Sequence, residues 1–226
     1  MESIKELQNR VIACTKCNRL ITYCQDVAEQ KRRMYTDWTY WGKPLPSFGV
    51  PDARLLIMGL APAAHGGNRT GRMFTGDRSG DWVFNALYKF GFASSPDSQE
   101  ANDGLTLNDA YITAALRCAP PANKPLPKEL LNCRPFLETE LQLLTNVKIV
   151  LAFGKIAFET FLRTWVGLGK DVGSPRPGFG HGVKYDLPDG LVLMGSYHPS
   201  QQNTQTGRLT REMFESSFVE IKKMLA

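Results

Sequence analysis

The sequence predicts an α/β protein, a three-layer α/β/α sandwich around a short central four-stranded parallel sheet. Four apolar runs carry the strand signal: Leu55–Leu60, Ala110–Leu116, Val147–Phe153 and Leu191–Tyr197. Each is continuous rather than alternating, the pattern of strands covered on both faces. Helical stretches fall between them, and strand–helix alternation builds a parallel sheet with helices on either side. At 226 residues, 42% hydrophobic and 22% charged, the chain suits one globular domain with a sizeable core. The domain is read as residues 1–226, with an N-terminal segment of about fifty residues packed on it.

The first stretch, MESIKELQNR, is charged and lacks the apolar core of a signal peptide. No run is long and apolar enough to cross a bilayer. Both features predict a reducing, cytoplasmic setting, which argues against disulfides. Four of the five cysteines form two widely separated pairs, Cys14-x2-Cys17 and Cys118-x14-Cys133. Two pairs of thiols split by a long stretch are the pattern of a four-thiolate metal site. Zinc and an iron-sulfur cluster suit four thiolates equally well in softness, and spacing leaves both open. Cys24 is read as a small buried hydrophobe. Residues 34–49, MYTDWTYWGKPLPSFG, have no periodicity. Trp38, Tyr40, Trp41 and Phe48 offer stacking faces for bases, but such a run is more often a loop wrapped over the core, and that reading is preferred.

After the first strand, Gly80–Phe90 is read as a helix and the polar stretch 94–108 as an exposed connection. Pro127–Leu144 follows the second strand, with Pro127 suited to the first helical turn. Lys155–Val166 follows the third, and Thr210 is placed as N-cap of a final helix that runs to Ala226. Ligands of a parallel sheet bind at the carboxyl ends of its strands. Three loops there are rich in Gly, Pro, Asn, Arg and His: GLAPAAHGGNRTGRMFTGDRSG, RCAPPANKP and SYHPSQQNTQTGRLTR.

Gly66-x4-Gly71 has P-loop spacing, but Arg72 and Met73 replace the required Lys and Ser/Thr, which excludes nucleotide hydrolysis. No H-x-E accompanies the cysteines, which argues against a zinc deaminase. Asp77 is the carboxylate of FTGDRSG, either a helix cap or a reacting acid. Phe74 offers a flat face. His198 stands at a strand's carboxyl end and is read as functional, with His65 lining the same pocket; His181 is given no role. The net charge of +5 permits nucleic-acid binding without requiring it. Its cations gather at Lys31-Arg32-Arg33, around Arg69, Arg72 and Arg78, and at Arg208 and Arg211.

These three loops and the two cysteine pairs, taken in order, resemble the family 5 uracil-DNA glycosylases over nearly the whole chain. The resemblance implies the α/β/α uracil-glycosylase fold and a structural 4Fe-4S cluster held by Cys14, Cys17, Cys118 and Cys133. It implies hydrolysis of the N-glycosidic bond of deaminated bases in double-stranded DNA, leaving an abasic site. Asp77, His198 and Asn123 take the catalytic positions. Phe74 stacks on the extruded base, and Gly59, Ala114 and His65 complete the base pocket. Arg69, Arg72, Ser200, Gln201, Asn203 and Arg208 are the expected DNA contacts, with Pro199–Arg208 the inserting loop. The related family 4 enzymes carry carboxylates where Ala61–Ala64 is apolar here, and an Asn where Ala114 stands. Broad specificity, hypoxanthine and xanthine beside uracil, is therefore expected. The rival classes are a catalytically silent cluster protein that binds DNA or senses redox state, and a small-molecule hydrolase.

Overall fold

Along the strand Leu55–Gly59, successive side chains enter opposite layers. Leu55 and Ile57 join one core with Phe84, Phe214 and Phe218, while Leu56 and Met58 join a second with Tyr111, Phe158 and Phe161. Every residue of this strand and of Ala110–Ala114 and Ile149–Phe153 is buried, which is why each reads as an unbroken apolar run. The structure is a computed structural model and describes residues 2–226.

In chain order the helices and strands are α1 (Ile4–Ile12), α2 (Asn18–Gln30), β1 (Phe48–Gly49), β2 (Leu55–Gly59), α3 (Gly67–Thr70), α4 (Arg78–Lys89) and β3 (Ala110–Ala114). There follow α5 (Pro127–Leu143), β4 (Ile149–Phe153), α6 (Lys155–Gly167), β5 (Lys184–Asp186), β6 (Val192–Ser196), α7 (Gln201–Gln205) and α8 (Arg211–Leu225). The sheet runs β1-β3-β2-β4-β6-β5. Its four inner strands are parallel, as the sequence predicts, and α4 and α8 cover one face while α5 and α6 cover the other. The expected four-stranded sheet is extended by two antiparallel edges, β1 on β3 and β5 on β6. Neither edge carries an apolar run: β1 has two residues, and in β5 the exposed Lys184 and Asp186 flank a half-buried Tyr185.

Parallel register sets Gly59 beside Ala114 and Phe153 beside Ser196, so the strands end level and their loops leave together. Thr210 caps α8 by accepting the Met213 N–H, and Pro127 opens α5. At the other end of the chain, α1 is closed by a reciprocal cap in which Ser3 and Glu6 satisfy each other's backbone N–H groups. Arg19 of α2 forks onto Glu129 of α5 at 2.7 and 2.8 Å and fastens the N-terminal helices to the sandwich.

The aromatic segment wraps the fold by backbone hydrogen bonds: Trp41 N–H to Arg69 O, Gly42 N–H to Asn68 O and Leu45 N–H to Arg117 O. The 94–108 stretch is not the freely exposed connection expected from its polarity. Leu105 and Leu107 are buried, Ala93 bridges Leu107, and Asp103 pairs with a buried arginine.

Candidate active site

Asp77 is the N-cap of α4, and its Oδ1 accepts the Gly80 N–H at 2.9 Å. The capping role is real, and it fixes the carboxylate without consuming it. Gly66 packs so close that a β-carbon there would overlap Asp77 Oδ2, so only glycine allows that approach. Burial raises the Asp77 pKa above the ordinary carboxylate value; the N–H groups of Gly80 and Ser79 and the Arg69 charge work against that rise, while Asp81 adds to it.

Three residues earlier, Phe74 holds a left-handed backbone (φ 53), uncommon for a bulky side chain. Its ring edge lies on Gly59, where a β-carbon would stand 2.8 Å from Cζ. The ring centroid is 5.8 Å from that of Phe153 and 5.9 Å from that of His198. His198 leaves β6 into this cluster, and its carbonyl accepts both the Ser200 N–H and the Asn203 side-chain amide at 2.8 Å. Burial pushes the imidazole pKa down to about 4, so the ring is neutral at pH 7. Ala114 is buried at the end of β3, beside Gly59.

Asn123 ends a tight turn, Pro121–Asn123, in which Ala122 and Asn123 both take positive φ, 52 and 55°. Two consecutive left-handed residues are a strained way to present an exposed amide. They place it on a cleft of about 660 Å³ whose walls include Asp77, His65, Gly66 and Gln201. His65 accepts or donates through Nδ1 to the Tyr40 hydroxyl at 3.0 Å, and burial keeps its pKa below the usual value. The strand-end loops thus bring Asp77, Asn123, His65 and Gln201 around one cleft, with Phe74, His198, Gly59 and Ala114 at the strand ends behind.

The side chains of four expected DNA contacts have partners within the protein, and two of them, Arg72 and Arg69, are buried. Arg72 is 3% exposed and is consumed by Asp103 at 2.5 Å, Ser98 at 2.7 Å and Thr75 at 3.0 Å. Arg69 is equally buried, with its guanidinium 4.0 Å from the ring centroids of both Tyr35 and Trp38. The Ser200 hydroxyl caps α7 by accepting the Asn203 N–H, and the Asn203 amide is bound to His198 O. These last two shape the loop. Gln201 and Arg208 remain exposed, with Arg208 4.6 Å over the Tyr197 ring. The cleft walls add two exposed arginines to which the sequence reading gave no site role, Arg32 and Arg78. Both stand in basic runs that signalled them.

Cys14 follows α1, Cys17 caps α2, Cys118 follows β3 and Cys133 lies on α5. Cys17, Cys118 and Cys133 meet in one small core, and Cys14 and Cys133 meet in an adjoining one. All five thiols are free, and among the described residues no three His, Cys, Asp or Glu side chains stand close enough to hold a single metal ion. Four thiolates are a soft donor set that fits an iron-sulfur cluster. The Asn132 amide donates to Cys17 Sγ at 3.4 Å. Cys24 is fully buried, its Sγ 3.7 Å from Ala119 O, as a small core residue.

The strand-end loops set an N-capping acid on a cleft and a histidine behind it, on a chain whose residues 46–222 match the uracil DNA glycosylase superfamily model. The chain is 49% identical to the type-5 uracil-DNA glycosylase of Mycobacterium tuberculosis (98% of this chain, 82% of that one). It is 49% identical to the type-5 enzyme of Thermus thermophilus, covering 94% of each, and 42% identical to that of Pyrobaculum aerophilum (90% and 85%). The chain belongs to the type-5 uracil-DNA glycosylases.

Proposed function

We propose that this chain hydrolyses the N-glycosidic bond of uracil, and of hypoxanthine and xanthine, in double-stranded DNA, leaving an abasic site. The observation that supports this most directly is Asp77: one half-buried carboxylate, fixed by a helix N-terminus, on the wall of a strand-end cleft that also carries Asn123. A base inside a duplex is out of reach, so the target nucleotide is turned out into the site at a cost of a few kcal/mol, about the cost of unstacking one step. A deaminated base that pairs poorly reduces that cost.

As the C1′–N bond breaks, its electron pair leaves with the base and positive charge grows on the sugar. Asp77 orients a water toward C1′ and stabilises that charge; the water oxygen forms the new bond. His198, neutral at pH 7, donates a hydrogen bond to the departing base without the desolvation cost of a buried cation. Phe74 gives the base a flat apolar face, and Asn123 presents its amide from a strained turn. Ala114 offers no polar side chain at its strand end to demand one base edge, which supports broad specificity.

Cys14, Cys17, Cys118 and Cys133 would hold a 4Fe-4S cluster, whose contribution is structural: it ties the N-terminal helices to the loop that carries Asn123. No step of the hydrolysis uses it. The substrate is chromosomal, so the working place is the cytoplasm beside the nucleoid. No helix among the described residues is long and apolar enough to cross a membrane.

A duplex with one uracil, incubated with the protein and then heated in alkali, is the test. Strand cleavage at the lesion is expected. Retardation on a gel without cleavage would instead show a silent DNA-binding protein, and neither result would leave a small-molecule hydrolase.

A further inference from the structure

Two arginines of the glycine-rich loop are buried, but their charges are treated differently. Arg72 has a carboxylate on it, Asp103 at 2.5 Å, and a full set of hydrogen bonds. Arg69 takes part in none of the ion pairs among the described residues. It lies between two aromatic faces, Tyr35 and Trp38, and its Nε donates to His65 O at 2.9 Å and its Nη2 to Gly76 O at 2.8 Å. Its Nη1 is buried without a partner. A buried cation needs compensation, and cation–π contact recovers only part of the lost hydration.

The carbonyl that Arg69 grips belongs to the residue immediately before Asp77. Gly76 has positive φ (69), and a β-carbon there would overlap Arg69 Nη2. The turn that delivers the carboxylate is therefore built around the guanidinium. We infer that Arg69 is a positioning residue for Asp77: caged by Tyr35 and Trp38, it fixes the Gly76–Asp77 turn. This rests on the reading of Asp77 as the reacting acid. It also gives the aromatic segment a purpose, since Tyr35 and Trp38 are the walls of the cage.

Burial raises the Asp77 pKa most; the N–H groups of Gly80 and Ser79 lower it, Asp81 raises it, and Arg69 lowers it by the least. The other charged or titratable groups facing it across the cleft are Tyr23, Arg32, Tyr35, His65 and Arg78. The water-orienting role needs ionised Asp77, so activity is lost as pH falls through its pKa. Losing the Arg69 charge moves that acid limb to higher pH.

The experiment compares wild type, Arg69→Gln, Arg69→Lys and Asp77→Asn. The readouts are single-turnover excision of uracil against pH, duplex affinity, and the carboxyl-carbon NMR titration of Asp77. Arg69→Gln is expected to raise the Asp77 titration and its acid limb, and to slow excision by about 10²-fold through misplacement, with duplex affinity unchanged. Arg69→Lys keeps the charge but not both carbonyl contacts, so the rate falls while the titration stays. If Arg69→Gln does not fold, a folded Arg69→Lys with the wild-type rate overturns the inference. So does a folded Arg69→Gln that excises uracil at the wild-type rate. An active Asp77→Asn sinks the reading of Asp77 as the reacting acid, an outcome the NMR titration separates from the question of Arg69.

Discussion

Gly66→Ala tests whether the carboxylate's position, rather than its mere presence, carries the rate. Gly66 sits at φ −103, outside the left-handed region, so the substitution acts chiefly through space. The added methyl would overlap Asp77 Oδ2 and press within 2.9 Å of Cγ and 3.1 Å of Cβ. The carboxylate must move, because the opposing wall is backbone at the mouth of α3. Clearing ordinary contact takes a displacement of about 1 Å, and a misplacement of that size costs about 10²-fold in rate. The cap bond from Gly80 N–H to Oδ1 is strained by the same motion, and losing a cap costs about 1 kcal/mol of stability. Single-turnover excision of uracil from a duplex reads the first effect and thermal unfolding reads the second, with affinity for an uncut duplex as the control. Excision within threefold of wild type, at unchanged affinity, would refute the claim that Gly66 sets the carboxylate.

Specificity follows from Ala114: wild type is expected to excise hypoxanthine beside uracil, and Ala114→Asn to shift preference toward uracil, checked by single-turnover rates on matched duplexes. Confinement of wild type to uracil by more than about 10³-fold would assign the reading to another group. Cys118→Ser is expected to lower solubility and thermal stability before it alters chemistry, and the intact protein to be brown with its iron removable by chelation. A colourless, fully active protein with stoichiometric zinc contradicts the cluster. His198, held neutral with its pKa near 4 against 6.5 unfolded, contributes stability that is present above pH 6.5 and lost as pH falls toward 4. The loss reaches about 3 kcal/mol. His198→Gln should flatten that slope in denaturant titrations, and an unchanged slope would place the acid sensitivity elsewhere.

The inner strands were legible because a residue buried on both faces has to be apolar, and β2, β3 and β4 obey this at every position. The edge strands were not, because β5 alternates and β1 has two residues in a loop punctuated by Pro and Gly. The N-terminal helices left a signal that went unused: Ser3 and Glu6 at capping-box spacing before Leu7 and Val11. Asp77 reads equally as a helix cap, its site role resting on the family resemblance, and His198 was legible as a candidate from its place at a strand's carboxyl end. The arginines were not. A basic residue in a glycine-rich loop has the same sequence appearance whether it faces phosphate or is buried, and what buries Arg69 comes from Tyr35 and Trp38, far upstream. Arg72 is buried by Asp103, from a stretch whose polarity suggests solvent. Asn203, expected as a DNA contact, has its amide on the His198 carbonyl.

The account turns on Asp77 as the reacting acid of the cleft, and Asp77→Asn tests it most directly. Asparagine keeps the shape and the capping oxygen at the start of α4 but cannot take a proton or bear the charge. Single-turnover excision from a uracil duplex is measured beside duplex affinity and thermal unfolding. The account predicts a rate lower by about 10²–10⁴-fold with affinity and stability near wild type. A loss of less than about threefold in the folded variant would leave Asp77 a helix cap and contradict the account.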